Sequence, residues 1–197
     1  MNRDAILSAT CALLLCVLPG RPAADASSDG GLFLTMEREV ELISHDWLRD
    51  VRENPANQLA PFTTDGCSGG MSDIWKLVAG VSDRFVEVHD RQPPWEACCV
   101  THDRAYYLGG ENPEPAQSHA ARLAADRELR VCVTEVTQSG REKVAEEYGL
   151  TVEELHAIYA RIADGMYLSV RLGGKPCSGL PWRWGYGWPQ CGIAALP

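Results

Sequence analysis

A mainly α, disulfide-stapled domain built on two long antiparallel helices is the fold class this sequence predicts, and three observations carry that prediction. Apolar residues recur at spacings of three and four in several stretches. Glycine and proline pairs stand where those stretches stop. Beyond an N-terminal apolar leader the cysteines number six, an even set with the look of a disulfide framework. The chain has 197 residues, enough for a real core, with no internal repeat and no linker between domains.

The leader comes first. Asn2-Arg3-Asp4 precedes an apolar run from Ala5 to Leu18, Pro19-Gly20 breaks it, and Ala24-Asp25-Ala26 places small residues at signal-peptidase spacing. The run is shorter than the roughly 20 apolar residues of a membrane span. Residues 1–26 are therefore expected to be a signal peptide and 27–197 a single secreted or periplasmic domain. A lipoprotein at Cys16 is disfavoured, because no small residues precede that cysteine.

The mature chain then reads in order. Residues 27–31 resemble a flexible new N-terminus. A first helix is expected over 35–52, with Met36, Val40, Ile43, Trp47 and Val51 on its apolar face and Asn54-Pro55 closing it. The stretch 60–70 is turn-rich, and 74–90 fits a short helix or a strand equally well. Pro93-Pro94 opens a helix that runs to Leu108 and stops at Gly109-Gly110. A long helix follows over 116–138, carrying Leu123, Leu129, Val133 and Val136. Thr151 and Glu154 form a capping-box signature for a last helix over 152–172, stopped by Gly173-Gly174. The aromatic tail lies between Cys177 and Cys191. Its Trp182, Trp184, Tyr186 and Trp188 are read mainly as indoles and a phenol folded onto the core, with an interfacial membrane anchor as the alternative.

Export turns Cys67, Cys98, Cys99, Cys132, Cys177 and Cys191 into candidate half-cystines, with fifteen connectivities open on count alone. A metal-thiolate site of Cys98, Cys99 and His102 is disfavoured, since adjacent helical cysteines point about 100° apart. The formal net charge of −9 disfavours nucleic acid and strong attraction to anionic membranes. No later segment is apolar enough for a stable membrane span.

On the helix after Pro94, Cys98, His102 and Tyr106 follow one another at intervals of four and so share a face. Asp126 lies six residues before Cys132 on the next long helix. If the two helices run antiparallel with Cys98 bridged to Cys132, Asp126 comes level with His102 to within about a residue or two, at 1.5 Å rise per residue. A buried carboxylate there fixes the imidazole tautomer and leaves the other ring nitrogen as a general base, and Tyr106 can donate to the same carboxylate. Asp103 points about 100° away from that seam. With the glycine-bearing turn Asp65-Gly66-Cys67-Ser68-Gly69-Gly70 it suits an oxygen-seeking cation.

Cys98-Cys99-x-x-His102-Asp103-x-x-Tyr106 resembles the active-site helix motif of secreted phospholipases A2, and Asp126-Arg127 with Cys132 is similar to that family's second-helix motif. The resemblance covers residues 62–135. It implies His102 as general base, Asp126 and Tyr106 as its support, and Ca2+ held by Asp103 with Gly66, Ser68 and Gly70 in a calcium-binding loop. It also implies the bridges Cys98–Cys132 and Cys67–Cys99, and hydrolysis of the sn-2 ester of glycerophospholipids at a membrane surface or micelle. Ala105 and Ala125 replace two cysteines that many members pair, so both halves of one bridge are absent together. A non-catalytic secreted lipid- or receptor-binding module on the same scaffold is the rival expectation, and a Cys–His protease is disfavoured because a bridged sulfur is no nucleophile. His45, His89, His119 and His156 are expected to be ordinary solvated residues.

Overall fold

The computed structural model describes residues 26–67, 71–136 and 141–192. Among these residues the secondary structure is helical throughout: α1 (Ala26–Glu53), α2 (Met71–Val81), α3 (Asp83–His89), α4 (Glu96–Leu108), α5 (Pro115–Glu135), α6 (Arg141–Tyr148) and α7 (Val152–Gly173). None of these helices is long and apolar enough to cross a membrane. The proposed signal peptide lies outside the described residues except for Ala26.

The four helices expected from periodicity are present, and their ends follow local chemistry. Pro115 occupies the first turn of α5, where its missing N–H costs nothing. Gly109 takes φ 74° and donates its N–H to the Ala105 carbonyl, ending α4 in the left-handed region that glycine enters freely. The capping box of α7 is complete, with Thr151 and Glu154 each bonding the other's backbone N–H. The ambiguous stretch 74–90 resolves into α2 and α3, divided at Ser82, whose side chain accepts from the Phe85 N–H. Helix α6 has no counterpart in the periodicity, being only eight residues long with a charged sequence.

Two expectations for α1 need correction. The helix begins at Ala26, so residues 27–31 are helical and not a loose terminus; once a helix is nucleated, further turns need only the small propagation term. More important, the buried face is not the apolar one. Val40 is 65% exposed and Ile43 53%, whereas Glu41, His45 and Leu48 are buried. The 41–45–48 stripe has helical spacing too, and its polar members are satisfied by groups from α5 and α7: Glu41 pairs with Arg122 and Arg171, and His45 bonds Ser118. Burial of these charges is tolerated because each is paired and hydrogen-bonded.

Three disulfides close the fold: Cys67–Cys99, Cys98–Cys132 and Cys177–Cys191. One apolar cluster gathers Trp95, Leu129, Val133, Leu155, Tyr159 and Met166 between α4, α5 and α7. A second gathers Leu48, Tyr106, Ala125 and Trp184. The tail folds onto the core as expected. Trp184 is buried edge-on to Tyr106, with ring centroids 5.0 Å apart, and its Nε1 donates to Ser118 Oγ at 2.9 Å. Gly185, at φ 74°, lets the tail backbone approach α4 closely enough for its N–H to reach the Tyr106 carbonyl at 2.6 Å.

Candidate active site

Helix α4 delivers His102 and Tyr106 from successive turns, their rings stacked with centroids 4.1 Å apart. Both meet one oxygen of Asp126 on α5. His102 Nε2 lies 2.9 Å from Asp126 Oδ1, and the Tyr106 hydroxyl donates to the same atom at 2.7 Å. The other oxygen, Oδ2, accepts from Arg171 Nη1 on α7 at 3.0 Å. All of Asp126 is buried. Burial alone would push its pKa up, but the bonds from His102 and Tyr106 and the Arg122 charge hold it below the usual carboxylate range. Asp126 is thus an anion and an acceptor at neutral pH. His102 Nε2 accordingly directs a proton toward Asp126, and in the neutral ring that tautomer leaves the lone pair on Nδ1. Burial raises the Tyr106 pKa well above 10, so its phenol remains a donor.

Asp103 faces elsewhere. Its Oδ2 accepts from the Thr64 hydroxyl at 2.5 Å, and Thr64 Oγ1 in turn accepts from the Gly66 N–H at 3.1 Å. Cys67, bridged to Cys99 beside Asp103, donates its N–H to Ser72 Oγ at 2.9 Å, and Ser72 donates to Glu96 at 2.6 Å. Gly66 stands at φ 78°, a conformation that favours glycine, and a Cβ there would push the Glu96 carboxylate aside. Burial raises the Asp103 pKa to about 6; the Thr64 bond and the His102 ring oppose the rise, while the Asp65 and Glu96 charges add to it. A buried carboxylate surrounded by more carboxylates is a place where a cation is electrostatically favoured. The two other expected calcium ligands, Ser68 and Gly70, lie outside the described residues.

Two cavities meet at this point. The larger, about 540 Å³, is bounded by His102, Leu129, Ile162, Met166, Val170 and Gly66, among others. The smaller, about 220 Å³, is bounded by Thr63, Thr64, Asp65, Pro181 and Tyr186. Asp103 and Trp182 line both. A largely apolar pocket and a smaller one of mixed polar and apolar lining therefore share a wall made by a carboxylate and an indole.

The structure brings His102, Tyr106, Asp126, Asp103 and Gly66 together. It also adds residues that sequence reasoning misses. Asp65 belongs to the glycine-bearing turn without a role in the motif, and it lines the smaller cavity together with Asp103. Arg171 and the α7 side chains that line the apolar chamber carry no local signal, because nothing near them in sequence is a motif.

The histidines need correction as well. His45 is fully buried and His119 nearly so, with ring centroids 5.7 Å apart, because α1 and α5 press them around Glu41. His89 is half-buried against Tyr148, 2.7 Å from its hydroxyl, and His156 is half-buried beside Arg141.

The Glu41 cluster makes stability depend on acid. Burial would raise the Glu41 pKa, but His45, Arg122 and Arg171 overcome it and lower the value from 4.5 to about 2. A carboxylate depressed in the fold adds stability that is complete above its unfolded pKa and disappears as pH falls through its folded one. The Glu41 contribution is therefore present above about pH 4.5 and is lost toward pH 2. Burial lowers the His45 pKa from 6.5 against the pull of Glu41, so the unfolded chain takes up that proton first and stability begins to decline below 6.5. The raised Asp103 pKa works the other way, adding stability as pH falls from about 6 and opposing the His45 loss. The test therefore lies at the acid end: urea midpoints should fall from pH 4.5 to pH 3, and Glu41→Gln should flatten that fall. An equal slope in the variant would remove Glu41 as the source.

Comparisons with protein-family models, with curated proteins and with solved structures found no match to this chain.

Proposed function

We propose that this protein is an exported, calcium-dependent hydrolase of the phospholipase A2 type, cleaving the sn-2 ester of glycerophospholipids. The observation that carries the reading is His102, tied through Nε2 to a buried anionic Asp126 and lining a largely apolar pocket that adjoins a smaller pocket of mixed lining at Asp103. An amphiphilic ester suits such a pair of cavities, its acyl chain in the larger and its polar head by the smaller. His102 Nδ1 takes the proton from a water as that water attacks the ester carbonyl. The imidazolium so formed is stabilised by Asp126, which Tyr106 keeps in place, and its proton then passes to the departing alcohol.

The order of contacts supports an antiparallel α4–α5 pair: Cys98 meets Cys132, His102 meets Asp126, and Gly109 meets Ser118. The calcium assignment has support of its own, because the Cys67–Cys99 bridge tethers the Thr63–Cys67 segment beside Asp103. The donors there are oxygens, as a hard cation requires. Asp103 and Asp65 would supply carboxylates, and Gly66, Ser68 and Gly70 carbonyls. Among the described residues no three His, Cys, Asp or Glu side chains form a metal group by themselves. When bound, calcium supplies the Lewis acidity that polarises the ester carbonyl and offsets the oxyanion charge.

Fatty-acid release from phosphatidylcholine vesicles, measured with the oxidised protein in calcium and in chelator, tests the reading. Release that requires calcium is expected. Release undiminished by chelator would remove calcium from the mechanism. No release at all from correctly oxidised protein would leave the scaffold as a lipid- or receptor-binding module.

A further inference from the structure

Behind the His102 ring, two carboxylates and two guanidinium groups from three helices meet in the protein interior. Arg171, near the C-terminal end of α7, spans the gap between them. Its Nη1 donates to Asp126 Oδ2 and its Nη2 to Glu41 Oε2, both at 3.0 Å. Arg122, fully buried on α5, bonds the other oxygen of Glu41 and donates to the carbonyls of Val170, Arg171 and Gly174. Arg171 is itself held from both sides, its backbone carbonyl by Arg122 and its side chain by Glu41.

The consequence falls on Asp126. A carboxylate bonded through one oxygen keeps a broad torsion about its last bond, since that rotation has no sharp staggered wells. Here His102 and Tyr106 both use Oδ1 and hold that end of the group, while the second oxygen receives no donor from either. A planar guanidinium presents donors in a rigid fork, and one arm of this fork takes Oδ2 while the other is anchored on α1. The charges also balance, with Asp126 and Glu41 set against Arg171 and Arg122.

We propose that Arg171 is a positioning residue of this site: anchored by Glu41, it fixes the plane of the Asp126 carboxylate and thereby the orientation of the His102 ring. The inference rests on the reading of His102 as general base, but one of its two tests does not. A purely structural role would tie α7 to α1 through Glu41 and to α5 through Asp126, and would leave the His102 ring indifferent to the loss of Arg171 in a folded variant.

The experiment compares Arg171→Gln, Arg171→Lys and the control Arg130→Gln in the full oxidised chain. The control removes the exposed Arg130–Asp164 pair, which also joins α5 to α7 but lies away from His102. The first readout is the proton NMR resonance of the hydrogen-bonded His102 Nε2–H, identified by its loss in His102→Gln. It should be unchanged in Arg130→Gln, displaced or broadened in Arg171→Gln, and partly restored in Arg171→Lys. The second readout is kcat and KM on phosphatidylcholine vesicles with calcium. Arg171→Gln should lose about ten- to a hundredfold in kcat with KM little changed, and Arg171→Lys should recover part of that loss. A folded Arg171→Gln with the wild-type resonance and wild-type kcat overturns the proposal. If Arg171→Gln does not fold, Arg171→Lys decides, and wild-type values for both readouts there overturn it. A wild-type protein that releases no fatty acid overturns the hydrolase reading instead, and the resonance alone then judges the hold of Arg171 on Asp126.

Discussion

His102→Gln abolishes turnover, with kcat on phospholipid falling by about a hundred- to ten-thousandfold, while calcium affinity stays nearly intact. The expectation follows from the division of labour on one turn of α4. His102 looks toward Asp126, and Asp103 looks toward Thr64 and the smaller cavity. Asp103→Asn, by contrast, should weaken both calcium binding and catalysis, because it removes a charge from the proposed cation site. Calorimetric titration with calcium, run beside the fatty-acid assay, separates the two variants. Equal loss of calcium affinity in both would sink these role assignments.

Arg122→Met should destabilise the protein by about 3–5 kcal/mol, the range for removing one partner of a buried ion pair. Arg122 has no exposed surface, and its donors serve the Glu41 carboxylate and three carbonyls at the end of α7. Losing the guanidinium leaves Glu41 dependent on Arg171 and His45 and leaves carbonyls without their donor. Urea unfolding gives the measurement. Replacing Glu41 as well, as Glu41→Leu with Arg122→Met, should return part of the loss, because the uncompensated charge goes with it. A cost of under about 1 kcal/mol for Arg122→Met would mean the pair behaves like one at the surface.

These two predictions mark what the sequence exposes and what it hides. The spacing of Cys98, His102 and Tyr106 is a property of any α-helix, so their common face is legible from the residue numbers themselves. Asp126 is legible through Cys132, because a bridge six residues away sets the register of its helix. Glu41 and Arg171 are 130 residues apart, and no local period joins them. The first helix shows the cause of the error most directly. Val40, Ile43 and Trp47 have apolar side chains and Glu41 and His45 do not, yet the polar stripe is the buried one. Periodicity measures the preference of a side chain for leaving water. It says nothing about whether another helix brings an arginine to meet it. The chamber wall from α7 is hidden for a related reason, since Ile162, Met166 and Val170 read as ordinary core residues and nothing in their spacing announces a cavity beside them.

Cys98 and Cys99 are neighbours on α4, yet their bridges run in different directions, one to α5 and one to the Thr63–Cys67 segment. His102 with its carboxylate partner and the proposed cation site are thus fastened to a single turn of helix by two covalent ties. A reducing environment would remove both covalent ties at once and leave hydrogen bonds and packing to hold Asp126 and the loop against that turn. On the proposed reading as an exported hydrolase, both ties would close only after export, in an oxidising compartment.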